Sequence, residues 1–159
     1  MCKKCFIKSI EYKAKRTISK YSMIKHGDTV AVAVSGGKDS LVLLKILNNT
    51  FSDPRPELIA ITVDEGIKGY RDESLSIVKN FCSSIGVGNK VMSFNELFGL
   101  SMDKAMEVRP SEKISSCSMC GTFRRRAIDL LAESCGANVI ATGHNLDDYI
   151  QTFLINLFA

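Results

Sequence analysis

The sequence predicts an α/β protein built on an open, doubly wound parallel sheet. Short apolar runs, typical of strands buried on both faces, alternate along the chain with stretches of helical periodicity. Three of these runs end in polar loops that are rich in glycine, serine and aspartate. Because ligands bind beyond the carboxyl ends of the strands in such a sheet, we expect the three loops to meet at one cleft.

The chain begins with a basic segment, which we assign as an N-terminal helix over residues 1–27, ahead of a sheet domain over residues 28–159. Residues 1–25 contain eight Lys or Arg and one acidic residue, Glu11. Apolar residues recur every three or four positions, which predicts an amphipathic helix ending at Gly27. A basic helix on a near-neutral domain favours a polyanionic partner, nucleic acid before membrane, although a solubilising helix face would carry the same charge.

Cys2 and Cys5 have the spacing of zinc ligands. A closed zinc site needs four ligands, and the only further candidate before the first strand is His26. The pair is therefore incomplete, and Zn²⁺ is its candidate metal.

The composition is that of a single globular domain. The chain has 159 residues, of which 45% are hydrophobic, enough to bury a core. No uncharged stretch approaches the roughly 18 apolar residues of a membrane span. Basic residues interrupt the N-terminus where a signal peptide would be apolar. We therefore expect a cytoplasmic protein with no membrane partner and with its six cysteines reduced.

The first predicted strand, Val30 to Val34, runs into the loop Ser35-Gly36-Gly37-Lys38-Asp39-Ser40 and then into a helix. The two glycines lack the Cβ atoms that would keep an anion from the backbone. The first N–H groups of the helix and its dipole attract negative charge, and Lys38 adds a cation. The spacing is neither that of Walker A nor Gly-x-Gly-x-x-Gly. The pattern predicts a phosphate-binding loop, the alternative being an ordinary polar turn.

The remaining elements follow in alternation after a turn-rich stretch at residues 52–56. Strands are predicted at 58–63, 90–94 and 138–141, and helices at 74–85, from 117 onward and at 149–158. Residues 95–116 show a mixed pattern with a short helix, which is typical of a functional or mobile segment. Cys82 and Cys135 are interpreted as buried thiols. The final helix is apolar almost all round, which predicts self-association, for example as a homodimer.

Two further loops and a cysteine pair carry candidate chemistry. Asp64-Glu65-Gly66-Ile67 follows the second strand, and Gly143-His144-Asn145 with Asp147-Asp148 follows the fourth. Cys117-x-x-Cys120 opens a helix, with Arg124 and Arg125 one turn further on. In a reduced compartment such a pair indicates zinc, redox or iron–sulfur chemistry, or else two incidental surface thiols. The nearby arginines and helix N-terminus predict depressed thiol pKa values.

Together these stretches resemble the TtcA/TtuA/Ncs6 group of PP-loop tRNA 2-thiolation enzymes, within the N-type ATP pyrophosphatase superfamily, and most closely the branch of cytosolic thiouridylase subunit 1. The matching stretches occur in the family's order and cover nearly the whole chain: 35–40, 64–67 with 69–71, 117–121 with 124–125, and 143–148. The resemblance implies an adenine nucleotide alpha hydrolase-like fold of the PP-loop ATPase type.

The resemblance implies an ATP-dependent tRNA sulfurtransferase. ATP would adenylate the C2 carbonyl of a tRNA uridine or cytidine, and sulfur from sulfide or a ubiquitin-like sulfur carrier would then displace AMP. The implied nucleotide-binding residues are Val34, Ser35, Gly36, Gly37, Asp39, Ser40, Val63, Asp64, Gly143 and Asn145. The implied catalytic residues are Lys38, Asp39, Asp147, Cys117, Cys120 and Arg124.

The resemblance also implies individual roles. Lys38 would stabilise charge during adenyl transfer, Asp39 would position Mg²⁺, and Asp147 matches the family's catalytic carboxylate. Cys117 and Cys120 would ligate a [4Fe-4S] cluster together with a third cysteine, leaving one iron open to carry sulfur.

The sequence also departs from the family pattern. Family members continue past the last helix, so we expect a truncated chain whose third cluster cysteine is missing, and Tyr149 stands where acidic residues are common. Two alternatives remain: a tRNA lysidine synthetase-like PP-loop ligase, which would not need Cys117 and Cys120, and a nucleotide- or zinc-binding module without activity.

Overall fold

A computed structural model describes residues 1–51, 55–69, 71–109 and 115–158 of the chain. The elements in chain order are α1 (Lys3–Lys20), β1 (Thr29–Ala33), α2 (Lys38–Thr50), β2 (Glu57–Asp64), α3 (Asp72–Ile85), β3 (Gly88–Ser93), α4 (Phe94–Phe98), α5 (Met102–Glu107), α6 (Ser116–Glu133), β4 (Val139–Thr142) and α7 (Leu146–Phe158). The predicted turn at 52–54, Tyr70 of the 69–71 stretch and residues 110–114 lie outside the described residues.

The strands form one parallel sheet in the order β3-β2-β1-β4, which confirms the predicted fold class. Ala31 of β1 pairs with Ile59 of β2 on one side and with Ile140 of β4 on the other. The chain therefore winds outward from β1 in both directions. The crevice at the carboxyl ends of β1 and β4 is the topological switch point, where open α/β sheets bind ligands.

The alternation of side chains along β1 divides the core into two layers. Val30 and Val32 point to one face and pack with Leu44 and Leu47 of α2, whereas Ala31 faces the cluster that contains Leu131 of α6. Both faces of the sheet are covered by helices, which explains why the central strand β1 is apolar from Val30 to Ala33.

The N-terminal helix is shorter than predicted. It ends at Lys20, and the N–H of its C-cap residue Tyr21 bonds to the carbonyl of Thr17. The predicted stop at Gly27 was wrong, because the apolar spacing continues past the point where backbone hydrogen bonding ends.

The mixed segment after β3 contains two short helices. Ser93 forms a capping box with Glu96 and begins α4, so the third strand ends one residue before Phe94. Phe94 and Phe98 pack against Phe123 of α6, which ties this segment to the core.

The helix α7 exposes apolar side chains along its length, as its sequence predicted. None of its described residues is buried.

Cys82 is buried as predicted, but Cys135 is only half-buried, because it follows the end of α6. Among the described helices none is both long and apolar enough to cross a membrane.

Candidate functional site

The loop between β1 and α2 is held in shape by its own serines. The hydroxyl of Ser40 donates to the carbonyl of Gly37 at 2.9 Å and accepts from the N–H of Ser35 at 3.2 Å. The hydroxyl of Ser35 accepts from the N–H of Gly37 at 3.3 Å. No side chain among the described residues caps α2 at Gly37. The first-turn N–H groups of α2 therefore remain available to an anionic ligand.

Two glycines allow three chain segments to meet at this loop. Gly36 has a φ of +86°, and a Cβ on it would lie 2.9 Å from the Ser74 carbonyl oxygen at the start of α3. A Cβ on Gly143, after β4, would lie 2.9 Å from the backbone nitrogen of Ser40. Contacts this short leave no room for a side chain, so both positions require glycine.

A cleft of about 420 Å³ opens where these segments meet. The structure brings many of the predicted site residues to its lining: Val34, Ser35, Gly37, Lys38, Asp39, Ser40, Val63, Arg124 and Gly143. The cleft is apolar towards Ile61 and Val63 and basic towards Lys38 and Arg124. Such a lining suits a ligand with a flat apolar part and an anionic part.

Other predicted residues lie outside the lining and have local partners. The Asp64 carboxylate accepts from the N–H of Gly66 at 2.9 Å. Asn145 and Asp148 exchange side-chain to backbone hydrogen bonds of 2.8 and 3.1 Å at the start of α7. Asp147 is exposed in the first turn of α7. The ligand-binding and catalytic roles of these residues stay predictions.

His144 lines the cleft and was not among the predicted site residues. Its Nδ1 lies 2.9 Å from the Thr142 hydroxyl, and its ring contacts that of Tyr149. His144 directly follows Gly143 after the end of β4, and this position in the sequence could have identified it as a site residue.

The cysteine pair lies in a second cavity of about 450 Å³. Cys117 and Cys120 stand one turn apart on α6, which begins with the Ser115 hydroxyl accepting from the N–H of Ser118. Burial raises the pKa of the Cys120 thiol, and the nearby Arg124 guanidinium only partly opposes this. The predicted depressed pKa was therefore wrong for Cys120, because its side chain is buried.

A buried carboxylate joins the cleft to the cysteine cavity. Glu65 is fully buried and accepts from Nε and Nη2 of Arg71 at 2.5 and 2.7 Å, and from Nε of Arg124 at 2.7 Å. Arg71 also donates to the Ser35 carbonyl at 2.8 Å, and Arg124 to the Cys120 sulfur at 3.4 Å. Sequence analysis placed the loop of Glu65 beside the cleft and included Arg71 in the family match, but it named neither as an individual site residue. A charged pair directly after an apolar strand was the available signal, but it does not identify partners 59 residues apart.

The N-terminal cysteines show no closed metal site. Cys2 and Cys5 are exposed, and hydrogen bonding to the Cys5 backbone lowers the pKa of the Cys2 thiol. No group of three or more His, Cys, Asp or Glu in the described ranges is placed to hold a metal ion. Zinc binding by this pair stays a prediction.

Comparison with known proteins relates the whole chain to one family. The profile of the PP-loop domain matches residues 7–159. The cytoplasmic tRNA 2-thiolation protein 1 of Chlamydomonas reinhardtii is 42% identical, over 99% of this chain and 44% of its own length. The tRNA 2-thiolation protein NcsA of Haloferax volcanii is 38% identical, over 99% of this chain and 51% of its own length. The chain thus spans about half the length of these curated relatives.

Solved structures agree with this relation. The U34-tRNA thiolase NcsA from Methanococcus maripaludis, solved with its [4Fe-4S] cluster, superposes with a TM-score of 0.86 and is 35% identical, over 99% of this chain and 52% of its own. The NH3-dependent NAD synthetase from Campylobacter jejuni superposes with a TM-score of 0.63 at 18% identity, over 87% of this chain and 57% of its own, and so shares the fold alone. The profile match, the parallel sheet and the serine-tied glycine loop agree: this chain belongs to the PP-loop domain family.

Proposed function

We propose that this chain is the ATP-binding part of a tRNA 2-thiolation enzyme, which adenylates the C2 carbonyl of a tRNA uridine or cytidine and replaces its oxygen with sulfur. The observation that carries the proposal is the meeting of the PP-loop cleft with a cavity lined by Cys117 and Cys120, with Arg124 lining both. Adenylation and sulfur transfer act on the same carbon, so an enzyme that performs both needs these two sites side by side.

The cleft suits ATP in both its shape and its charge. The loop at Gly36 and Gly37 and the first turn of α2 would bind the phosphates. The apolar lining at Val34 and Val63 would hold the adenine. The C2 oxygen would attack the α-phosphorus and pyrophosphate would leave, and Lys38 would stabilise the charge that develops on the phosphates. Asp39, which also lines the cleft, would position Mg²⁺.

The cysteine pair fits two ligands of an iron–sulfur cluster. Cys117 and Cys120 lie one turn apart on the same helix and line the same cavity, as two thiolates on one cluster must. When bound, the cluster would supply an open iron that carries the sulfur. The described residues place no third ligand at the pair, so a third thiolate would have to come from elsewhere. Arg124 would hold positive charge between the thiolates and the adenylated carbonyl.

The basic helix α1 supports an RNA partner. The helix carries seven Lys or Arg side chains against one acidic residue, Glu11, and no residue of the helix is buried. We assign residues 1–27 to this segment and residues 28–159 to the PP-loop domain. Glu11 of α1 accepts from the side-chain amide of Asn49 on α2 at 2.9 Å, which fixes the helix beside the domain.

The sulfur donor would be sulfide or a ubiquitin-like carrier, and the relatives' names support a cytoplasmic location.

Calorimetric titration with ATP tests the nucleotide site. Lys38→Ala should weaken ATP binding by roughly tenfold or more, because a charge-assisted hydrogen bond is lost. The matched control is Lys45→Ala, an exposed lysine further along α2, which should bind ATP like the unchanged protein. Folded protein that binds neither ATP nor AMP would refute the proposal.

Metal analysis after anaerobic reconstitution tests the second site. With a small thiol added to supply the third ligand, iron with sulfide is the expected result, lost in Cys117→Ser and Cys120→Ser but kept in Cys135→Ser. Zinc alone would favour a binding module. Neither metal, with ATP still bound, would favour a lysidine synthetase-like ligase.

A further inference from the structure

Glu65 is the one carboxylate that the structure places, among the described residues, between the two cavities with guanidinium partners on both sides. A fully buried charge is costly unless it is paired and hydrogen-bonded. Burial pushes the pKa of Glu65 up, but the hydrogen bonds and charge of Arg71, together with the charge of Arg124, hold it below its ordinary value. Glu65 is therefore ionised, and it links the end of β2 to the start of α3 and to the middle of α6.

The two arginines bound to Glu65 differ in side-chain exposure and in the number of hydrogen bonds that hold them. The side chain of Arg71 is 10% exposed, and it binds Glu65 with two nitrogens and the Ser35 carbonyl with a third. The side chain of Arg124 is 41% exposed and contacts Glu65 through Nε alone. Arg71 is thus fixed beneath the phosphate-binding loop, whereas Arg124 retains room to move at the edge of the cleft.

Arg124 lies at the junction of the two cavities. Its side chain lines the PP-loop cleft and also the cavity of Cys117 and Cys120. Its terminal nitrogen donates to the Cys120 sulfur at 3.4 Å, a weak acceptor. A phosphate oxygen is a far stronger acceptor for a guanidinium group. A polyphosphate in the cleft would therefore compete with Cys120 for Arg124.

We propose that Glu65 is a positioning residue that holds the Arg124 guanidinium between the nucleotide phosphates and Cys120, so that filling the cleft alters the surroundings of the thiol. This inference rests on the proposed function, since it requires a nucleotide in the cleft. Glu65 anchors Nε, which leaves the terminal nitrogens of Arg124 to bind either Cys120, as Nη2 does here, or a phosphate. In an enzyme that adenylates before it transfers sulfur, nucleotide binding would in this way change the hydrogen bonding of Cys120 through Arg124.

The test is the alkylation rate of each cysteine in protein freed of iron and sulfide, followed by peptide mass spectrometry with and without a non-hydrolysable ATP analogue. In the unchanged protein the analogue should change the rate at Cys120 by roughly threefold or more, within what one hydrogen bond is worth. The rates at Cys82 and Cys135 should not change, because neither residue lines either cavity. Glu65→Gln should abolish the response at Cys120.

Because Glu65→Gln alters a buried charge and can fail to fold, Arg124→Lys provides a second variant. Lysine keeps the charge but lacks the fork that reaches Glu65 and Cys120 together, so the response should again be lost. The matched controls are Arg125→Lys on the exposed side of α6 and Glu57→Gln at the far end of β2. In both variants the analogue should still change the alkylation rate of Cys120.

The outcomes separate the inference from the proposed function. If calorimetry shows the analogue bound but Cys120 responds equally in Arg124→Lys, or not at all in the unchanged protein, the inference is overturned and the nucleotide site stands. If the analogue does not bind to the folded protein, the proposed function fails and the inference fails with it.

Discussion

Gly143→Ala tests the close approach that closes the cleft. The new Cβ would lie 2.9 Å from both the backbone nitrogen and the Cα of Ser40, and 3.1 Å from the carbonyl carbon of Asp39. All three atoms belong to the backbone of the first turn of α2, so no side-chain rotation can relieve the contact. Either the loop after β4 or the start of α2 must shift.

The expected cost is that of overpacking a well-packed site, about 1–3 kcal/mol in the free energy of unfolding. For a chain of this size each kcal/mol lowers the melting temperature by about 2–4 °C. The same shift displaces the first-turn N–H groups of α2 that would bind phosphate, so ATP affinity should fall together with stability. Urea unfolding and calorimetric titration measure the two quantities.

Gly88→Ala is the matched control, because a Cβ at Gly88 would meet no atom within 4 Å. That substitution should leave ATP binding unchanged and should stabilise the protein by up to about 1 kcal/mol through the unfolded state. If Gly143→Ala matches Gly88→Ala in both stability and ATP affinity, the contact between Gly143 and Ser40 is not a constraint and our account of the cleft is wrong.

Three further predictions concern the loop, the buried carboxylate and the last helix. Gly36→Ala combines a positive φ with a Cβ 2.9 Å from Ser74, so urea unfolding should show a loss of more than about 1 kcal/mol. Because the folded pKa of Glu65 lies below its unfolded value of about 4.3, its stabilisation is present above that pH and is lost as pH falls through the folded pKa. Glu65→Gln should cost about 3–5 kcal/mol at pH 7, and it should flatten the loss of stability on acidification, as measured by urea unfolding at several pH values. Phe153→Glu on the exposed face of α7 should abolish self-association in light scattering, and an unchanged protein that stays monomeric at high concentration would contradict the homodimer prediction.

Local patterns were sufficient for the order of the main elements and for the place of the glycine loop between β1 and α2. The apolar run at 30–34 and the glycines after it predict a buried strand and an anion-binding turn without reference to any distant residue. Element ends were predicted less well. The N-terminal helix keeps its apolar spacing beyond Lys20, but the spacing does not show where the hydrogen bonding stops.

Burial of individual side chains was harder to predict than their position in the chain. Cys120 is the fourth residue before Arg124, and residues four apart on a helix are neighbours. The sequence therefore suggested that the arginine would stabilise the thiolate and depress the thiol pKa. In the structure Cys120 is only 9% exposed, and desolvation of its thiol outweighs the attraction of the guanidinium. Periodicity on α6 indicated which face is apolar but not how deeply its first turn is covered.

The sequence by itself determined the parallel sheet, the glycine loop and the polar loops that follow the strands, because each depends on residues that are neighbours along the chain. Only the tertiary structure decided that Glu65 receives Arg71 and Arg124, that Gly143 rather than Asp147 lines the cleft, and that one arginine faces both cavities. These depend on how β2, α3, α6 and the loop after β4 pack together. The partners of a carboxylate are set by distance in space and by burial. Neither can be obtained from the number of residues between two positions in the sequence.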